Sequence, residues 1–416
     1  MKYLINSGLL FIVYLIITSS CGVNKNTKNV LVTAKEISIE KPLLVPKIIT
    51  GAENIEAYWS LLDNKKVGIV TNQTGFLSMA GSNDSNLKIS IVDYLVKNKN
   101  INITKIFAPE HGFRGTADAG ELIKDGKDTK TGLPIFSLYG DNKKPKPEQL
   151  ADIDIMIFDL QDVGARFYTY ISTLHYIMEA CAENKIQLIV LDRPNPNINI
   201  IDGPILEKEF TSFVGMHPIP LLHGMTIGEY AKMINGEKWL KNGNQCSLKV
   251  IPCLNYNRKS EYSLPVKPSP NLPNDQSINL YASLCLFEGT NVSVGRGTET
   301  QFQVYGSPFL TKSNFSFVPI PNFGAKEPLY KNEICNGESL TNNPKVNKLE
   351  LKWLIKAYKS TSEKSKFFNP FFTKLSGTKN LQIQIENGIS EIDIRKTWTK
   401  GLTDFQQMRK KYLIYK

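Results

Sequence analysis

The stretch "DIMIFDLQD", residues 154–162, decides the fold. Ile155 to Phe158 are apolar without a break, so a strand here has no polar face and is buried on both sides. It then stops at Asp159, with Gln161 and Asp162 close behind. Three other runs share this pattern: "KVGIVTN" (66–72), "ITKIFAPE" (103–110) and "QLIVLDRPN" (187–195). Helical patterns lie between them, "LKISIVDYLVKN" (87–98) and "TYISTLHYIMEACAENK" (169–185). Strands alternating with helices imply right-handed crossovers and a parallel sheet with helices on its faces. "PIFSLYG" (134–140) adds an edge strand.

Every run ends in polar residues: Asn72; Glu110; Asp159, Gln161 and Asp162; Asp192, Arg193 and Asn195. Open parallel sheets bind ligands beyond the carboxyl ends of their strands. The second run continues as "FAPEHGFRGTADAG" (107–120), which sets Glu110, His111 and Arg114 at a strand end. Gly112 and Gly115 let the backbone turn there and approach a ligand. Glu110 stands where a general acid/base belongs; its structural alternative is a carboxylate neutralised by Arg114. His111 is a base, a metal ligand or a hydrogen-bonding wall, and sequence proximity does not choose among these.

The 416 residues exceed one small core and imply two domains. The net charge of +11 would suit an anionic partner, but lysines are scattered and no dense basic block exists, so no nucleic-acid partner is expected. At the N-terminus, Lys2, an apolar run from Leu9 to Ile17 and "TSSC" (18–21) form a secretory signal. The last four residues resemble a bacterial lipoprotein cleavage site, with Cys21 lipidated. A periplasm-facing envelope lipoprotein, held to the membrane by that anchor, is the expected location. The expected layout is a signal over 1–21, a tether over 22–50, a catalytic domain over 51–210 and a second α+β domain over 211–416. Five cysteines remain, with no CxxC pair and no zinc-like spacing. Cys181 and Cys285 lie in apolar runs and read as core.

Beyond "DRPNP", Thr226 is a helix N-cap, with Glu229 completing a capping box. "PVKPSPNLPND" (265–275) has too many prolines for regular structure. "SLCLFEGTNVSVGRGTE" (283–299) reads as a strand, a Gly-rich turn and another strand. The chain closes in helices near 347–359 and 403–414.

Asp159, Asp162 and Arg166 in "FDLQDVGARFYTY" allow a magnesium or calcium site, although two residues, not one, separate the aspartates. With four histidines and no HExxH, zinc hydrolase chemistry gains little, and no metal or cofactor is expected. Tyr168 and Tyr170 would stack on a sugar or sit in the core. His175 falls on an apolar helical stripe and reads as core, whereas His223, just before a helix, is a site candidate. Glu288, Asn291, Arg296 and Glu299 surround a Gly-rich turn that no Walker lysine follows, so nucleotide binding is disfavoured.

These segments together resemble the exo-β-N-acetylmuramidase family, formerly a domain of unknown function. The matching stretches are "GIVTNQTG", "APEHGFRG", "TGLPIFSLYG", "IFDLQDVGARFYTYISTL", "LDRPNP", "DGPIL", "SFVGMHPIPLLHGMTIGE", "PSPNLP" and "EGTNVSVGRGTE", in order from residue 68 to 299. Two departures stand out. "NPNINIIDGP" replaces a Gly-containing loop, and Gln301 stands where the family usually has Pro.

The resemblance implies an α/β protein: a Rossmann-like parallel-sheet domain joined to a second α+β domain, with the active-site cleft between them and no nucleotide. It implies an exo-acting glycosidase that releases N-acetylmuramic acid from the non-reducing end of peptidoglycan fragments. Its proposed catalytic Glu falls on Glu110. Glycoside hydrolysis usually needs a second carboxylate; Asp162, Asp192, Glu288 and Glu299 all remain candidates. An arginine fork suits the lactyl carboxylate of muramic acid, and Arg114, Arg166 and Arg296 are candidates. Asn72, Gln161, Tyr168, Asn195, His223 and Asn291 complete the expected site. Two other classes stay open: a non-catalytic peptidoglycan-binding lipoprotein, and a metal-dependent esterase or phosphatase.

Overall fold

The computed structural model describes residues 46–78, 87–98, 100–114 and 125–416. The signal, Cys21, most of the tether and Gly115 lie outside the described residues. Residues 46–50, expected in the tether, belong to the fold: Ile49 pairs with Leu254, and Thr50 is buried.

The four apolar runs form strands β1 (Lys66–Thr71), β2 (Asn102–Ala108), β4 (Ile155–Asp159) and β5 (Gln187–Leu191). The edge strand is β3 (Pro134–Ser137), and β6 (Leu248–Ile251) is drawn from beyond residue 210. These six strands lie parallel in the order β3-β2-β1-β4-β5-β6, and a short antiparallel piece, Gly126–Lys127, edges β3. This is the Rossmann-like order, with its switch point between β1 and β4.

The unbroken apolar runs have a direct cause in packing. Alternate residues of one strand enter two different cores. Val70, Phe107, Met156, Phe158, Leu188 and Val190 face one cluster. Val67, Ile69, Ile106, Ile157, Ile189 and Leu191 face the other, under helix α1 (Ile91–Val96). The first cluster is covered by α2 (Tyr170–Asn184) and α3 (Ile227–Gly236) and runs on through the C-terminal part as far as Phe405. Thr226 caps α3, accepting from Glu229 N at 3.2 Å while Glu229 accepts from Thr226 N at 3.1 Å, as its sequence signature required.

The smaller second part carries a three-stranded antiparallel sheet, in which Cys335–Ser339 is flanked by Val304–Ser307 and Ser316–Phe317, together with a set of helices. Neither of the two strands expected over 283–299 is present; only isolated bridges occur there, at Thr290 and Ser293. A fourth helix, α4 (Asp275–Leu284), runs into a 3-10 turn at Cys285–Gly289. Residues 277–284 are buried all round, and a short run buried on every side has no period to separate helix from strand. The closing helices lie at Lys352–Ser360 and Thr399–Lys410, and Phe371–Ser376, Asn380–Glu386 and Glu391–Lys396 lie between them. The five cysteines among the described residues are free and buried.

Candidate active site

β2 ends at Ala108, and Pro109 opens a tight turn closed by Gly112 N donating to Pro109 O at 3.0 Å. His111 sits at the third position of that turn with φ 73°, followed by Gly112 at φ 76°. A left-handed turn position favours glycine, so a histidine there costs on the order of 1 kcal/mol and marks a constrained site. The turn aims Glu110 and His111 into a cleft of about 300 Å³ between the parallel sheet and the C-terminal part. That volume lies at the low end for small-molecule sites and holds about one substituted sugar ring.

A hydroxyl fixes the Glu110 carboxylate: Thr169 Oγ1, just before α2, donates to Oε2 at 2.8 Å. Tyr139, two residues past β3, stands beside it in the cleft wall. Burial and then the Glu110 charge push the Tyr139 phenol up to about 12. Tyr170 donates to the Glu110 carbonyl at 3.5 Å and accepts from Asn72 Nδ2 at 2.6 Å.

Aromatic rings continue away from Glu110. Tyr170 meets Tyr168 edge-on at 4.8 Å, Tyr168 meets Tyr281 at 5.9 Å, and Tyr281 meets Phe302 at 5.0 Å. The Tyr168 hydroxyl is turned away, to Pro268 O at 2.8 Å, which leaves its ring in the wall. At the far end the Arg296 guanidinium lies 5.0 Å from the Phe302 centroid, and its Nε donates to Glu288 Oε1 at 2.5 Å. Phe213 and Val214 close another side. They form the tip of a loop tied by mutual backbone bonds between Ser212 and Gly215, and Phe213 packs on Tyr139 and Tyr176.

The structure thus brings Glu110, His111, Tyr168, Glu288 and Arg296 to one cleft. The other candidates lie elsewhere. Asn72 stands behind Tyr170 and also accepts from Thr74. Gln161 donates to the carbonyls of Asp162 and Pro194, and Asn195 donates to Met225 O. Asp162 is buried, accepts from Gly164 N at 2.7 Å and faces His223 Nε2 at 3.6 Å. Asp192 is fully buried under Tyr415 and Thr226 at the start of α3. Glu299 is exposed, outside the cleft wall, and Asn291 keeps its side-chain amide buried without a hydrogen-bond partner.

Two of the three candidate arginines are committed to structure. Arg114 grips Asp128 through Nη2, 2.9 Å from each carboxylate oxygen, and also reaches Asp93 at 3.3 Å. Arg166 is fully buried and donates to the carbonyls of Pro204, Ile219, Leu375 and Ser376 at 2.6–3.1 Å. Burial pushes its guanidinium down to about 9, still protonated at neutral pH. Gly377 makes room for it: with φ 75°, a Cβ there would stand 2.4 Å from Arg166 Nη2. Among the described residues no group of three or more His, Cys, Asp or Glu could hold a metal ion.

These features define an α/β protein of Rossmann-like topology whose strand-edge carboxylate opens into an aromatic-walled cleft of sugar size. Known proteins match it along its length. The family model described as exo-beta-N-acetylmuramidase NamZ, N-terminal, matches residues 67–276, and its C-terminal counterpart matches 279–415. The chain belongs to the NamZ exo-β-N-acetylmuramidase family, as its motifs implied. Peptidoglycan beta-N-acetylmuramidase NamZ of Bacillus subtilis (strain 168) is 41% identical in an alignment of 392 positions that covers 89% of this chain and 92% of that protein. Two DUF1343 family proteins of Bacteroides fragilis with crystal structures share the fold. One is 44% identical at TM-score 0.80, covering 89% of this chain and 99% of its own. The other is 30% identical at TM-score 0.72, covering 89% and 100%.

Proposed function

We propose that this protein is an exo-β-N-acetylmuramidase that removes N-acetylmuramic acid from the non-reducing end of peptidoglycan fragments. The observation that carries the reading is Glu110, fixed by the Thr169 hydroxyl at the sheet edge and facing a cleft with room for one ring. In this reading Glu110 protonates the leaving glycosidic oxygen, and the ring passes through an oxocarbenium-like transition state. Glu288, the other carboxylate lining the cleft among the described residues, is engaged by Arg296 at the far end of the wall. The aromatic wall takes the apolar face of the sugar. A cleft of this size, closed on one side by Phe213 and Val214, suits an enzyme that accepts one terminal ring, not the middle of a chain.

The test is turnover of the disaccharide of muramic acid and N-acetylglucosamine, and of 4-nitrophenyl β-N-acetylmuramide. Free muramic acid should appear from both. Binding without release would make the protein a peptidoglycan-binding module. We also propose that Cys21 is lipidated and ties the protein to a bacterial envelope membrane, facing the periplasm; the "TSSC" stretch after the apolar run supports this.

A further inference from the structure

We infer that Arg296, braced by Glu288 and laid on Phe302, reads the carboxylate of the bound sugar's lactyl group and so selects muramic acid over glucosamine. The inference rests on the proposed function and assigns one of its determinants. N-acetylmuramic acid differs from N-acetylglucosamine by that lactyl ether alone. A site that separates the two needs a cation at the carboxylate, and a guanidinium fork is the best match.

The other guanidinium groups are already used. Arg114 is bound by Asp128 and Asp93, and Arg166 by four carbonyls. Arg193 is buried on Asp159, with contacts at 2.6 and 3.0 Å. Arg258 holds Glu229, Arg395 holds Asp202, and Arg409 donates to Gly224 O. Among the described residues Arg296 is the one arginine that lines the cleft, and no lysine does. Lys143 Nζ lies 5.1 Å from the centroid of Phe213, a wall residue, but Lys143 itself does not line the wall.

Arg296 is also built for the task. Its Nε is taken by Glu288 Oε1, and among the described residues no acceptor bonds its two Nη atoms. That leaves the end-on edge, two parallel N–H groups, for an incoming carboxylate. Phe302 supports the face of the guanidinium, and the side chains of Arg296 and Glu288 are each 25% exposed. The group is therefore ordered before the ligand arrives yet remains reachable. Glu288 shares the positive charge, which weakens attraction for small anions in general and leaves geometry to discriminate. Glu288 acts here as a positioning residue.

The experiment compares three 4-nitrophenyl glycosides: the β-N-acetylmuramide, its lactyl amide, which has no charge, and the β-N-acetylglucosaminide. The wild type should prefer the acid. In Arg296→Gln, the preference for the acid over both neutral substrates should fall by roughly 10- to 100-fold, the range for a lost charged hydrogen bond. Arg296→Lys, which keeps charge but not the fork, should fall between. Lys143→Gln should keep the preference. Equal losses on all three substrates in Arg296→Gln would make the residue structural and overturn the inference. A preference that collapses in Lys143→Gln and survives in Arg296→Gln would overturn it as well. If the wild type turns over none of the glycosides, the proposed function fails, and calorimetry decides the inference separately. Tighter binding of free muramic acid than of N-acetylglucosamine, lost in Arg296→Gln, supports it; equal binding by the wild type sinks it.

Discussion

Thr169 Oγ1 and Glu110 Oε2 stand 2.8 Å apart, joining the start of α2 to the turn after β2. The hydroxyl sets the direction of the carboxyl group. Thr169→Val removes one hydrogen bond to a carboxylate, worth about 1.5–3 kcal/mol or roughly 10- to 150-fold. The loss should appear in kcat more than in KM, and Thr169→Ser should restore it. Steady-state kinetics on the muramide glycoside would show this.

Glu110→Gln keeps the shape and removes proton transfer, a step worth about 100- to 10,000-fold. The variant should stay folded and bind muramic acid. It should lose far less activity on a glycoside with an acidic phenol, which departs without a proton. Equal loss on acidic and ordinary leaving groups would point to a nucleophilic role; full activity on the disaccharide would remove Glu110 from the chemistry.

Arg166→Ala leaves a cavity and withdraws the buried donor from Pro204, Leu375 and Ser376. A loss of about 3–5 kcal/mol in unfolding free energy is expected. Urea midpoints would measure it, and a change within 1 kcal/mol (about a fivefold shift in the equilibrium) would show that the carbonyls find other donors.

Tyr415 Oη donates to Asp192 Oδ2 at 2.6 Å. Burial, opposed by hydrogen bonds from Tyr415, Thr226 and Gly228, raises Asp192 from 3.8 to about 7. A carboxyl raised in the fold binds its proton more tightly there than in the unfolded chain. The stability it contributes is therefore full at acid pH and falls away as pH rises from near 4 to about 7. The ionised form needs the phenol most. Tyr415→Phe should cost more stability at pH 8 than at pH 5, read as the variant minus wild-type difference in chemical denaturation. A difference that does not change with pH would mean that Asp192 does not titrate in this range.

Cys21→Ser should release the protein from the membrane fraction of the producing cell. An unchanged distribution after fractionation would exclude the lipid anchor.

The sheet was legible because its strands, buried on both faces, read as short apolar runs with polar ends that alternate with segments of helical period. The capping box at Thr226 and Glu229 was legible for its fixed spacing. Arg166 was not. It sits among site-like residues in "DVGARFYTY", yet its partners are backbone carbonyls, which leave no mark in a sequence. Arg114 misled in the same way, because Asp128, fourteen residues on, is its partner rather than Glu110. Tyr139 was missed as a site residue although a signal existed: it follows β3 much as Glu110 follows β2. Phe302 and Tyr281 carried no signal, since an aromatic ring in a cleft wall and one in a core look alike.

Arg166 and Ser376 are 210 residues apart in the chain. At ~5–20 residues per second, a ribosome needs about 10–40 seconds to pass from one to the other. Once β6 has emerged at residues 248–251 all six parallel strands are made, while the guanidinium destined for the interior still has none of its carbonyl partners from residues 375 and 376. The sheet therefore waits for the later part of the chain before its core can close. During synthesis the nascent protein presents unpaired strands and apolar helices, the kind of client that chaperones hold.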